Sequence, residues 1–157
     1  MIVRVVVGVV LAAALLAATT PALDAARTDR GAQVGATETA RLLDAVGALV
    51  ERSDPTPPDA PGAVRRLAVR IPPPSLTFPR VSVFLDPPPA ADVGRANRSR
   101  VGYRVNGRTH ATRTRLPLAT DAAGRRLTVE SGERARLALR YVRSANRSMV
   151  RVARDSK

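Results

Sequence analysis

With 157 residues and no cysteine, the chain excludes disulfide staples, thiolate metal sites and cysteine nucleophiles, and it has length for one small domain beyond any targeting segment. Its formal net charge of +13 comes from 26 basic residues, all arginine except Lys157, against 13 acids. Arginine binds carboxylates and phosphates in a bidentate fork, so such an excess favours acidic or anionic partners.

The chain opens on an uncharged run, Val5 to Leu23, reading VVVGVVLAAALLAATTPAL. A bilayer-spanning helix needs about 20 mainly apolar residues, which assigns 1–23 as a membrane anchor or uncleaved signal. Arg4, the apolar run and Thr20-Pro21-Ala22 could also serve as the three parts of a removed signal, but the run is long for that role. Arg4 on one side and Arg27 and Arg30 on the other leave the positive charges almost balanced.

Residues 24–52 read as a helical stem. Leu42, Leu43, Val46, Leu49 and Val50 recur at helical spacing, and Thr37-Glu38 is a start signal, whereas Gly31 and Gly35 weaken the preceding turn. The stem is therefore one broken helix or two pieces. Its apolar stripe has two readings: it packs on the following domain, or it is an interaction face for other copies or other anchors.

Residues 53–62, SDPTPPDAPG, contain four prolines and read as a semi-rigid linker and domain boundary. Charge changes sign there. From Asp24 to Pro61 four arginines face seven acids, whereas from Gly62 onward twenty arginines and Lys157 face six acids.

From residue 63 the period changes to two. Leu67, Val69 and Ile71 alternate with polar or small residues, as do Val81, Val83 and Leu85, with PPPSLTFP between them. Asn106-Gly107 predicts a two-residue hairpin that sets Val105 opposite Arg108, Tyr103 opposite His110 and Val101 opposite Thr112. Further strands are expected at Arg126 to Val129, Ala135 to Val142 and Met149 to Ala153. Together these give a small all-β antiparallel sandwich over 63–157, immunoglobulin-like in type. Its expected core adds Leu127, Val129, Leu137, Leu139 and Tyr141 to the residues of the first strands and the hairpin.

Chemistry-bearing patterns are sparse. His110 has no second ligand or nucleophile beside it, and Glu130 and Glu133 bracket the turn Ser131-Gly132, so no catalytic residue, cofactor or metal site is expected. Stacking platforms for nucleic acid need aromatics. The chain has only Phe78, Phe84, Tyr103 and Tyr141, so specific nucleic-acid binding is not expected. Arg104, Arg108, Arg113, Arg136 and Arg140, on the polar sides of strands, form the expected surface for an anionic partner. Asn97-Arg98-Ser99 and Asn146-Arg147-Ser148 match the glycosylation acceptor pattern, which favours an extracytoplasmic head.

An apolar amino-terminal helix with Pro21 near its end, an amphipathic continuation and a β-rich head resembles the layout of type IV pilins and their pseudopilin-like relatives. The stretch TPALDAARTDRGAQ is similar to the one that follows the hydrophobic helix in that family. The family's Gly before the apolar run and Glu five residues into it have no counterpart here. The chain also resembles short, arginine-rich membrane-anchored proteins of haloarchaeal type. These resemblances imply a non-enzymatic, single-pass envelope protein, an accessory part of a pilus-like or secretion assembly, with membrane lipid and envelope proteins as partners. The alternative is a surface module that binds anionic polymers or lipid headgroups.

Overall fold

The computed structural model describes residues 2–60, 62–87, 99–116, 118–120, 125–144 and 147–155, with the backbone alone for Ile2 and Ser144. One helix, α1 (Ile2–Arg52), precedes eight strands: β1 (Val64–Arg70), β2 (Val81–Asp86), β3 (Ser99–Val105), β4 (Arg108–Thr114), β5 (Leu118–Thr120), β6 (Leu127–Glu130), β7 (Arg134–Ser144) and β8 (Arg147–Arg154).

The expected break in the stem is absent, and helix α1 runs through Pro21, Gly31, Gly35 and the Thr37-Glu38 start signal without interruption. Proline lacks the N–H that would bond the carbonyl four residues back. Here Thr20 Oγ donates to the Leu16 carbonyl at 2.8 Å and is shared with the Ala17 carbonyl at 3.1 Å, the one Pro21 leaves without its usual donor. Gly31 and Gly35 lie within the helix at points where other chain segments leave no room for a side chain. A Cβ on Gly31 would lie 2.3 Å from Pro79 Cγ, and one on Gly35 would lie 2.6 Å from the Tyr103 ring. Pro55 stops the helix, because the residue before a proline disfavours helical geometry.

The strands form two four-stranded sheets, in the orders β1-β7-β8-β5 and β4-β3-β2-β6. The second sheet is antiparallel throughout. In the first, β5 pairs parallel with β8, so the expected all-antiparallel sandwich is corrected there. The hairpin holds the expected register, with Tyr103 opposite His110, and Asn106 and Gly107 both take positive φ, 46° and 82°.

One core joins both sheets and the second half of α1. Leu42, Ala45, Val46 and Leu49 are buried with Val69, Ile71, Phe78, Leu85, Leu118, Leu139 and Val152, among others. Fully burying a Leu or Val side chain stabilises by roughly 1.5–3 kcal/mol. The helix packs against β2 and β3 of one sheet and β1 and β7 of the other. On these contacts, α1 packs into the head from Gly31 onward. The proline-rich stretch does not stand free as a linker. Thr56 N–H donates to the Tyr141 carbonyl at 3.2 Å, and Arg143 N–H donates to the Thr56 carbonyl at 2.7 Å, which ties the stretch to β7.

Candidate functional site

Four surfaces could carry function. The first is the apolar half of α1. Val3, Val7, Val10, Leu11, Leu15, Leu16 and Leu23 are all exposed, and the segment is long and apolar enough to cross a membrane. At 1.5 Å per residue, Val3 to Leu23 covers about 31 Å, against roughly 30 Å of hydrocarbon.

The second is the stem face, where the structure corrects the interaction-face reading. Leu42, Val46 and Leu49 lie in the core, Val46 with no exposed area, while Leu43 and Val50 pack half-buried against it. These side chains already have partners within the molecule. Glu38 shares this buried face. Its Oε1 accepts from Arg41 at 2.8 Å, whereas its Oε2 is buried and has no hydrogen bond among the described residues. Beside it, Ala36, Thr39, Ala40 and Leu43 of α1 border a cleft of about 570 Å³, closed opposite by Tyr103, His110 and Thr112. The His110 ring stacks on Tyr103 at 4.9 Å between centroids, so the histidine caps a core aromatic.

The third surface is the set of arginines. The five predicted ones do not meet. Arg104 and Arg113 lie on the outer face of β3 and β4, and Arg108 lies on the side that carries Val105. Arg136 and Arg140 lie on β7, in the other sheet. A denser group occupies the outer face of that sheet: Arg66, Arg70, Arg134, Arg136, Arg140 and Arg151, interleaved with Ala68, Ala138 and Ala153. Registers there place Arg70 opposite Arg134 and Arg140 opposite Arg151. Like charges directly opposite one another destabilise a strand pair, and a bound anion would relieve this. Asp155 supplies one local acid, 2.9 Å from Arg66. Sequence alternation set Arg66 and Arg70 on the polar side of one strand and Arg136 and Arg140 on that of another, but did not show that the two strands pair, because strand order was not legible.

Two further acids of the head are engaged in structural pairs. Asp86 accepts from Arg126 at 2.8 Å, and this bond raises the Arg126 pKa against the opposing effect of burial. The same guanidinium lies 4.8 Å over the buried Phe84 ring. Glu133 pairs with Arg154, whose hydrogen bond holds the carboxyl below its ordinary pKa. A backbone bond from Glu130 N–H acts in the same direction, and burial opposes both. Among the described residues, no three acid or histidine side chains converge as a metal site. Asn97 and Asn146 lie outside the described residues.

The fourth surface, which the sequence reading passed over, is the loop from Pro72 to Pro79, which meets α1 near its middle, at Arg27 and Gly31. Its one signal was a leucine, Leu76, set among prolines.

Fold and surfaces together define a class: a two-sheet head seated on the second half of a helix whose first half is long and apolar enough to cross a membrane. The chain belongs to the family described as domain of unknown function DUF7311, whose model matches residues 2–155. No curated protein and no solved structure matches it.

Proposed function

We propose that the protein is a non-enzymatic, single-pass envelope component with its head outside the cytoplasm, acting as an accessory subunit of a pilus-like or secretion assembly. The observation that carries this reading is the unbroken α1, whose exposed apolar half continues directly into a half buried in the head. Such a helix presents a lateral apolar surface to lipid or to other helices while the head rides on it as one body. The layering of the head, two sheets over one core, supports an immunoglobulin-like module, with the parallel β5–β8 pair as its departure. The test is pull-down of the full chain from detergent-solubilised membranes, with a carboxyl-terminal reporter to fix topology. Co-purification of defined envelope components and an outside reporter are expected. Recovery of the monomer alone at both low and high salt, or a cytoplasmic reporter, overturns the reading.

The arginine face of β1, β7 and β8 favours a second reading, a surface module for anionic polymers. Retention on heparin should then fall steeply between about 50 and 300 mM salt, because exposed charges are screened over about 10 Å at 0.1 M. Arg70→Glu with Arg140→Glu should lower the salt at which retention is lost, and flat salt dependence counts against this reading.

A further inference from the structure

Among the described residues of the head, Val64 and Leu76 are the exposed large hydrophobic side chains, and Leu76 is 86% exposed. It sits at the tip of a closed turn rather than on a loose strand of chain. Ser75 N–H donates to the Phe78 carbonyl at 2.9 Å, and Phe78 N–H returns the bond at 3.4 Å. Phe78 and Pro79 are buried beneath, so the turn is pinned to the core.

The turn is also tied to one point on α1. Arg27 Nη2 donates to the Ser75 carbonyl at 3.0 Å. Arg27 lies four residues past Leu23, a rise of about 6 Å. The headgroup layer is about 5–7 Å deep on each side of the hydrocarbon, so a span ending at Leu23 places the Ser75 carbonyl at the depth of the lipid phosphates. Other contacts gather cations at this end. Asn106 Nδ2 donates to Thr28 Oγ at 3.2 Å, two residues before Arg108, and the close approach of Pro79 to Gly31 brings Arg80 alongside. Arg30 is on the helix itself, with Asp24 and Asp29 as the local acids.

We propose that this end of the head is a membrane-surface contact, in which Leu76 enters the interfacial layer of the same bilayer that α1 spans, while Arg80 and Arg108 engage the phosphates of anionic lipids. An exposed apolar side chain at the same end of the head as several arginines matches an interface that offers acyl chain beneath and negative charge above. The inference rests on reading Val3–Leu23 as the span.

The test uses the full chain in phosphatidylglycerol vesicles. It contains no tryptophan, so Leu76→Trp, Leu15→Trp and Arg52→Trp each introduce a sole indole. Expected are deep quenching of the probe at position 15 by acyl-brominated lipid, shallow quenching with a blue shift at position 76, and neither effect at position 52. Quenching at 15 with water-like, unquenched emission at 76 overturns the membrane contact and leaves the span intact. A blue shift at 76 without lipid quenching marks a protein contact and also overturns the inference. Absence of quenching at 15 removes the span and the inference together. Arg80→Glu with Arg108→Glu should reduce quenching at 76, and unchanged quenching there overturns the role given to the arginines.

Discussion

At the scale of single residues, two glycines of the same helix should respond in opposite ways to the same change. Gly35→Ala adds a methyl within 2.8 Å of Tyr103 Cβ, which cannot swing aside without moving β3. Overpacking of this kind costs about 1–3 kcal/mol, enough to outweigh the roughly 1 kcal/mol by which alanine favours a helix. At Gly47 nothing lies within 4 Å of the added methyl, so Gly47→Ala should stabilise. Thermal melting of the two variants in detergent should bracket the parent, and a higher Tm for Gly35→Ala would show that the close packing is wrong. Glu133 gives a pH prediction. Its pKa is lowered in the folded state, so its contribution is fully present above the ordinary carboxylate value of about 4.3 and is lost as pH falls through the folded value. Glu133→Gln should cost about 0.2–1 kcal/mol at neutral pH and flatten part of the acid-induced loss, as read from melting at a series of pH values taken from neutral down through and below the ordinary carboxylate value.

At the scale of elements, α1 behaves as two objects joined end to end. Leu42→Ala should cost about 2–5 kcal/mol as a cavity in the core, whereas Leu15→Ala in detergent should leave the melting temperature unchanged. Equal effects would contradict the burial pattern. Much of this was legible in the sequence. The 42-46-49 spacing identified an apolar stripe, with packing on the head as one of its two readings, and Asn106-Gly107 fixed the hairpin register because both residues of its turn need positive φ. Two features were not legible. Gly31 and Gly35 read as helix breakers because Pro79 and Tyr103, which approach them, lie far away in the chain. Leu118-Ala119-Thr120 is too short for a period-two signal, and its parallel partner β8 is almost thirty residues downstream.

At the scale of the whole molecule, α1 shares a core with both sheets from Ala32 onward, whereas Val3–Leu23 is exposed. A chain beginning at Asp24 should fold with a melting temperature close to that of the parent and remain soluble without detergent. One beginning at Ser53 should expose the surfaces that Leu42, Val46 and Leu49 cover, and should aggregate or melt without a cooperative transition. Circular dichroism and size-exclusion chromatography of the two truncations would decide this. The proline-rich composition of residues 53–62 suggested the opposite, because composition reports local stiffness and is silent on tertiary contacts such as Thr56 against β7. The arginine surfaces show the same limit: strand alternation places each residue on a face, but only sheet order brings Arg70 beside Arg134.

The Thr20 hydroxyl bonds that carry α1 past Pro21 have a mechanical consequence. Were Val3–Leu23 to span a bilayer, a helix continuous from span to head would pass the tilt of the span to the head. From Leu23 to Arg52 the helix extends about 43 Å, so a tilt of about 20°, ordinary for a spanning helix, swings the far end sideways by roughly 15 Å. A thinner bilayer would then lean the whole head over and a thicker one stand it upright, so that membrane thickness would set the position of the surface farthest from the bilayer.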